Sequence, residues 1–166
     1  MDTVELYRPG VEDKSVVRHL LELYAYDFTE FDGADVDEHG LFGYHRLDHY
    51  WTDADRYPFL IRVAGKWAGL ALVRDVAAAD GSVVHSIAEF FLMRKYRRRG
   101  IGELVARHLF DMFPGPWEVG QIATNLPAQA FWRAVIGRYT GGRFEEVHRD
   151  DGEGPLQTFV SEGETE

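Results

Sequence analysis

"RKYRRRGIG", residues 94–102, decides how this chain is interpreted. Four arginines and one lysine run directly into Gly100-Ile101-Gly102, although the chain as a whole has a formal net charge of −10. If a helix begins at the glycines, its first N–H groups lack intrahelical partners and attract anions, and glycine lets the backbone approach a ligand closely. Three interpretations therefore compete: a solvated helix entrance, a nucleic-acid patch, and a cradle for a phosphorylated cofactor.

The composition is typical of a single globular domain. The chain has 166 residues, of which 45% are hydrophobic and 14% aromatic, so we expect one domain over residues 1–166 that buries a core. The absence of cysteine excludes disulfides, thiolate nucleophiles and thiolate zinc sites. The first ten residues lack a signal pattern, and no apolar run approaches the roughly 18 residues that span a bilayer. We therefore expect a cytoplasmic protein without a membrane partner.

The charge balance bears on the kind of partner. The chain has 28 Asp plus Glu against 18 Lys plus Arg, which argues mildly against nucleic acid and fits a cationic small partner better. A nucleic-acid patch would also spread basic residues over a face with interleaved aromatics, whereas Tyr96 alone interrupts the cluster.

Hydrophobic periodicity predicts the order β-α-α-β-β-β-α-β-α-β-β and hence a mixed α/β fold. The helix after the glycines is expected to bury the face that contains Ile101, Leu104, Val105, His108, Leu109 and Met112. The predicted elements are a strand at 3–9, helices over 12–31 and 36–51, strands over 59–63, 67–76 and 83–93, a helix over 100–113, a strand over 117–124, a helix over 126–139, and a closing hairpin of 143–149 with 156–162.

Two familiar phosphate-binding fingerprints do not fit the glycine segment. A P-loop requires G-x-x-x-x-G-K-[ST], but Gly102 is followed by Glu-Leu. A dinucleotide-binding turn requires G-x-G-x-x-G, and Val105 occupies the third glycine position. Both interpretations are therefore excluded.

The chain instead resembles acyl-CoA N-acyltransferases of the GNAT superfamily, in a bacterial branch of predicted acetyltransferases. Residues 97–102, Arg-Arg-Arg-Gly-Ile-Gly, match its pattern [RQ]-x-x-G-x-[GA] after the fourth strand. A second pattern, N-x-x-A-x-x-F-Y, is met by Asn125, Ala128 and Phe131, with Trp132 in place of the tyrosine. The resemblance covers nearly the whole chain. It implies a single-domain fold with a central, mostly antiparallel, twisted sheet of six or seven strands flanked by about four helices.

The resemblance also implies acetyl-CoA as cosubstrate and no metal. Backbone N–H groups of residues 98–102 would hold the CoA pyrophosphate, residues 91–93 would pair with the pantetheine amides, and Asn125 would contact the pantetheine arm. The implied cofactor-binding residues are Phe91, Leu92, Met93, Arg97, Arg98, Arg99, Gly100, Ile101, Gly102, Asn125, Phe131 and Trp132.

Catalysis requires a base that deprotonates an amine and a group that protonates the leaving thiolate. Glu89 lies in the apolar run "IAEFF" on the strand where relatives carry a catalytic glutamate, and it is the first candidate for the base. A purely structural role for Glu89 remains open, and His85 is a second candidate for the base. The indole of Trp132 cannot transfer a proton, so Tyr139 or solvent would supply the acid.

The acceptor is expected to bind at the first two helices. "LYAYDFTEFDG" and "GYHRLDHYW" are rich in groups that suit a polar or cationic amine. His45 and His49 stand four apart and could face a metal on a helix, but a third ligand is not evident, and a helix face is the favoured interpretation. The candidate acceptor-binding residues are Tyr24, Tyr26, Asp27, His45 and His49.

These expectations combine into one function. We expect an acetyl-CoA-dependent N-acetyltransferase that acts on a primary amine of a small molecule or peptide by direct attack in a ternary complex. The alternative is a CoA-binding sensor or interaction module without catalysis, a possibility raised by Trp132. Relatives commonly form homodimers, so a homodimer is one possible assembly.

Overall fold

The computed structural model describes residues 2–150 and 152–164 of the chain. The chain forms two compact units, and each is assembled from two separate stretches. The first unit consists of Met1–Val73 and Glu89–Arg97, and the second consists of Arg74–Ala88 and Arg98–Glu166. The expectation of one domain over residues 1–166 stays a prediction.

Across the described residues the chain forms seven strands and four α-helices, which confirms the mixed α/β fold. The strands form one sheet in the order β1-β2-β3-β4-β5-β7-β6, and it is mostly antiparallel. Within the described residues, no helix is long and apolar enough to cross a bilayer. The elements are β1 (Val4–Tyr7), α1 (Lys14–Asp32), α2 (His49–Thr52), β2 (Arg56–Val63), β3 (Lys66–Ala77), β4 (Val83–Leu92), α3 (Ile101–Met112), β5 (Gly115–Gly120), α4 (Leu126–Thr140), β6 (Glu145–Arg149) and β7 (Gly154–Ser161).

The first unit contains β1, β2, α1 and α2, together with parts of β3 and β4. β1 pairs antiparallel with β2, and the link between β2 and β3 is a tight turn with Ala64 and Gly65 at φ 49° and 77°. Positive φ at both central residues is the geometry of a type I′ hairpin turn. Helix α1 ends at Gly33, which adopts the left-handed conformation and donates its N–H to the Thr29 carbonyl. The predicted hairpin and the predicted end of the first helix are thereby confirmed.

The second predicted helix, over residues 36–51, is wrong for most of its length. Only residues 49–51, the first three of α2, are helical there. Gly40, Gly43 and Arg46 have φ values of 76°, 72° and 64°, and such left-handed residues interrupt a right-handed helix. His45 therefore lies in a turn outside α2, and the proposed helical spacing of His45 and His49 does not exist.

The second unit contains α3, α4, β5, β6 and β7, with the first part of β4. β4 pairs parallel with β5 through His85 with Trp117 and Ser86 with Glu118, and β7 pairs antiparallel with both β5 and β6. The core centres on Phe110. Its ring lies 4.8–6.3 Å, between centroids, from the rings of Phe159, Trp117, Tyr139 and Trp132.

The buried face of α3 differs from the predicted one. Leu104 and Met112 are 50% and 40% exposed, whereas Ala106 and Phe110 are fully buried. Ile101, Val105 and Leu109 are buried as expected. The buried face of α3 therefore includes Phe110, whose ring fills the aromatic core of the second unit.

Candidate active site

The segment Arg98–Gly102, which we call the cradle segment, leads from β4 into α3 with an unusual backbone. Arg98 has φ 61° and Gly100 has φ 77°, so both are left-handed, and left-handed conformations are uncommon for a non-glycine residue. Gly100 is the N-cap of α3, and it has no side chain to accept hydrogen bonds from the first turn. A Cβ at Gly100 would meet nothing within 4 Å. The space beside exposed Gly100, at the start of α3, is therefore accessible to an anion.

The two arginines nearest to β4 bind a carboxylate of the first unit. Arg94 donates through Nε and Nη2 to Asp27 Oδ1 at 3.1 and 2.8 Å. Arg97 donates through Nη2 to Asp27 Oδ2 at 2.6 Å and through Nε to the Leu92 carbonyl at 2.7 Å. Partial burial by itself would raise the pKa of Asp27, but the hydrogen bonds from Arg97 and Arg94 hold that pKa below its usual value. The Asp27 carboxylate is thus occupied, which argues against the amine-binding role expected from the sequence.

The end of β4 presents its backbone in alternating directions. Met93 N donates to the Ala68 carbonyl on β3 at 2.8 Å. The Phe91 carbonyl lies so close to Gly69 of β3 that a Cβ on that glycine would be 2.0 Å from it. Because backbone groups of successive strand residues point to opposite edges, Leu92 directs its N–H and carbonyl away from β3. Of the residues expected to pair with pantetheine, Leu92 has the suitable direction.

Glu89 lies on β4 between two tyrosines of the first unit. The Tyr44 hydroxyl is 3.4 Å from Glu89 Oε1. The ring of Tyr24 stacks on Phe91 at 5.4 Å with an interplanar angle of 20°. Burial, followed by the charge and the hydrogen bond of Glu89, raises the pKa of Tyr24 well above its usual value. Burial and Glu89 also raise the pKa of Tyr44. Both hydroxyls therefore keep their protons near neutral pH and can donate them to the carboxylate.

Sequence reasoning missed Tyr44 and the residue that positions it. Glu22 on α1 accepts hydrogen bonds from the backbone N–H groups of Phe42, at 2.8 Å, and Gly43, at 2.9 Å. These bonds fix the loop one residue before Tyr44. The segment "GYHRLDHYW" was singled out for its polar aromatic character, but periodicity gives no sign that its tyrosine meets a glutamate 45 residues later.

The other residues expected at the acceptor site have different surroundings. Tyr26 is 67% exposed on α1. His45 is exposed in its turn, and His49 Nδ1 lies 3.1 Å from Asp53 Oδ2. Within residues 2–150 and 152–164, no group of three or more His, Asp or Glu side chains is arranged to hold a metal ion. Among the expected acceptor residues, Tyr24 is the one shown in contact with Glu89, and roles for Tyr26, His45 and His49 stay predictions.

In the second unit, Asn125 and Trp132 have structural partners. Asn125 is the N-cap of α4, and its Oδ1 accepts the Ala128 N–H at 3.1 Å. Trp132 is buried and lies 5.0 Å from the half-buried ring of Phe131 and 6.3 Å from Phe110, between centroids. The cofactor contacts expected for Asn125, Phe131 and Trp132 stay predictions.

Tyr139, the candidate acid, is held in a hydrogen-bond network. Its hydroxyl donates to Asp111 Oδ1 at 2.7 Å and lies 2.8 Å from Ser161 Oγ. Burial, together with Asp111, raises the pKa of Tyr139 to about 12. A phenol that holds its proton this tightly is poorly suited to give it to a thiolate, so this arrangement argues against the acid role.

His85, the second candidate for the base, is also engaged by protein groups. Its Nδ1 lies 2.6 Å from Asp75 Oδ1, and its Nε2 lies 3.2 Å from the Pro114 carbonyl. The ring lies 5.4–5.5 Å from the rings of Phe113 and Trp117. These contacts fit a structural role for His85.

A comparison of the sequence with models of protein families finds one matching family. The model described as "Acetyltransferase (GNAT) family" matches residues 17–137. The matched range begins within α1 and ends within α4, so it includes Glu89, the cradle segment and Asn125. No curated protein sequence matches the chain significantly.

Solved structures reproduce the fold over nearly the full chain. An acetyltransferase from Thermus thermophilus is 15% identical, with a TM-score of 0.68 over 95% of this chain and 96% of that one. The aminoglycoside acetyltransferase AAC(6')-Ib in complex with coenzyme A is 17% identical, with a TM-score of 0.62 over 95% of each chain. The PaiA N-acetyltransferase of Thermoplasma acidophilum in complex with coenzyme A is 11% identical, with a TM-score of 0.63 over 95% of this chain and 99% of that one. At these identities the likeness concerns the fold alone.

Proposed function

Because this chain belongs to the acetyltransferase (GNAT) family, we propose that it transfers the acetyl group of acetyl-CoA to a primary amine of a small molecule or peptide. The observation that carries the proposal is the arrangement of β4. This strand bears Glu89 with its tyrosine partners and runs on, after a few residues, into the cradle segment. A base and an anion site are thus built into one continuous stretch of chain.

In each unit, residues of this stretch support a role in CoA binding. The open first turn of α3 offers N–H groups to the pyrophosphate, and the left-handed Arg98 and Gly100 shape the backbone around that position. Leu92 directs its N–H away from β3, where it would donate to a pantetheine amide carbonyl in the manner of an added strand, while its own carbonyl accepts from Arg97. The thioester supplies the activated acetyl group.

Glu89 is the proposed general base. It takes a proton from the ammonium group of the acceptor, and the neutral amine attacks the thioester carbonyl carbon. Tyr24 and Tyr44, which keep their protons near neutral pH, donate hydrogen bonds to the carboxylate and fix its direction. The new C–N bond forms as the C–S bond breaks, and the acylated nitrogen then releases its remaining extra proton to water. The thiolate takes a proton from water and Glu89 returns its own to solvent, a route consistent with an ordinary thiol pKa of about 8.5.

An amine acceptor is also consistent with the structural neighbours. One is named an aminoglycoside acetyltransferase and another an N-acetyltransferase, and both were solved in complex with coenzyme A. Aminoglycosides present amino groups, which are the nucleophiles that the proposed base would serve.

The test is turnover of acetyl-CoA with a panel of primary amines, including polyamines, aminoglycosides and peptides with free N-termini. Free thiol is followed by a thiol reagent, and the acetylated amine is identified by mass spectrometry. We expect amine-dependent thiol release with an equal amount of acetylated product. CoA binding without transfer to any amine would favour the second candidate function, a CoA-binding module without catalysis, for which buried Trp132 at the usual tyrosine position is the favouring observation.

A further inference from the structure

The carboxylate of Asp27 is the meeting point of α1 and the segment that follows β4. It is bound by Arg94 and Arg97 at distances of 2.6–3.1 Å. The Asp27 side chain is 22% exposed, whereas that of Arg94 is 73% exposed. A partly buried carboxylate with charged donors on both oxygens makes strong, directional hydrogen bonds, unlike a fully exposed ion pair.

Arg97 extends this connection to the backbone of β4. The same guanidinium that binds Asp27 also donates to the Leu92 carbonyl at 2.7 Å and lies 5.9 Å from the centre of the Phe91 ring. Arg97 directly precedes the cradle segment in the chain. The position of Arg97 therefore sets the direction of the Leu92 peptide.

The same helix, α1, also contacts Glu89, the proposed general base. Tyr24 lies three residues before Asp27 on α1, a spacing that puts both side chains on one side of the helix. Tyr24 contacts Glu89, and Asp27 holds Arg97. One turn of α1 thus touches the proposed base and the proposed cofactor strand.

We propose that Asp27 is a positioning residue of the cofactor site, which acts through Arg97 and ties the Leu92 peptide to α1. Arg94 and Arg97 serve mainly to orient the segment that follows β4. This inference rests on the proposed function, because it assumes that the cofactor is CoA.

The test compares CoA affinity among matched variants by calorimetry, with thermal unfolding measured in parallel. Asp27→Asn keeps the shape of the side chain and removes its charge. We expect its dissociation constant for CoA to rise about tenfold or more, the size expected for losing charged hydrogen bonds. Asp27→Glu keeps the charge and is expected to recover part of the affinity. The control is Asp32→Asn on the same helix, whose carboxylate accepts the Ala34 N–H, and its CoA affinity is expected to match that of the unchanged protein.

A double-mutant cycle separates positioning from a general structural effect. If Asp27 acts through Arg97, the double variant Asp27→Asn with Arg97→Gln loses no more CoA affinity than the more severe single variant. Additive losses, or Asp27→Asn with affinity within twofold of the unchanged protein, would overturn the inference while leaving the proposed function intact. If the unchanged protein itself fails to bind CoA, the proposed function and the inference both fall.

Discussion

The close approach of β3 and β4 in the first unit gives a prediction that tests both stability and cofactor binding. Gly69 lies on β3, and a Cβ placed on it would be 2.0 Å from the Phe91 carbonyl oxygen and 2.9 Å from its carbon. Cβ atoms in folded proteins essentially never approach other heavy atoms closer than 3.0 Å, so Gly69→Ala requires the strands to move apart by about 1 Å. The obstructing atoms belong to the backbone, and no side-chain rotation relieves the contact.

The expected loss of stability in Gly69→Ala follows from the dense packing around Gly69. Overpacking a dense core costs about 1–3 kcal/mol. At this chain length each kcal/mol corresponds to about 2–4 °C, so the melting temperature of Gly69→Ala should fall by about 2–12 °C. Displacing Phe91 also disturbs Leu92, which we expect to receive the pantetheine arm, and CoA affinity should therefore fall as well.

The assay is thermal unfolding, with CoA binding measured by calorimetry on the folded variant. The control is Gly137→Ala in the interior of α4, where the nearest side chain, that of Phe144, would be at an ordinary contact distance of 3.7 Å. Alanine is favoured over glycine within a helix, and this variant should be unchanged or more stable by about 0.5–1 kcal/mol. If Gly69→Ala melts at or above the unchanged protein and binds CoA equally well, the described packing of β3 against β4 is wrong.

Three further substitutions test individual roles. Glu89→Gln should lower kcat by about 10²–10⁴, the usual contribution of a general base, while CoA affinity is kept; full activity across pH would remove Glu89 from this role. Glu22→Gln should release the loop before Tyr44 and raise KM for the amine, with CoA affinity unchanged; the opposite pattern would contradict the positioning of Tyr44 by Glu22. Tyr139→Phe should reduce stability by about 1 kcal/mol with little change in kcat, and a kcat loss above about 100-fold would restore its acid role. The pKa of Tyr139 is raised to about 12, so its contribution to the free energy of unfolding is present below about pH 10 and is lost as pH rises to about 12. The free energy of unfolding should therefore decline less steeply between about pH 10 and 12 in the phenylalanine variant than in the unchanged protein.

Most of the fold could be predicted from local signals because the strands and the longer helices obey their hydrophobic periods. The failures occur where local signals conflict. The range 36–51 has helical spacing of apolar residues, but Gly40, Gly43 and Arg46 turn the chain left-handed, and the helix is confined to α2. In α3 the apolar residues almost encircle the helix, so periodicity alone could not show that Phe110 rather than Leu104 faces the core.

The site could be predicted in part, since the cradle segment is local in sequence and a motif of adjacent residues can reveal it. The surroundings of Glu89 are not local. Tyr44 lies near Glu89, and Glu22 holds the loop that precedes Tyr44. Asp27 was expected to bind an amine because its local sequence is polar and aromatic, whereas its arginine partners lie about 70 residues later in the chain. Such pairings depend on tertiary structure and leave no periodic trace in the sequence.

Thermal unfolding of the protein alone and with acetyl-CoA, CoA or ATP tests the central claim, that the chain binds CoA, most directly, because it requires no knowledge of the acceptor. A ligand at about 100 times its dissociation constant adds about 2.7 kcal/mol of stability, which corresponds to several degrees at this chain length. The proposed function predicts such a rise with acetyl-CoA and with CoA, and none with ATP. An unchanged melting temperature with all three ligands at millimolar concentration would contradict it and would leave the arginines and glycines of residues 94–102 as an exposed helix entrance.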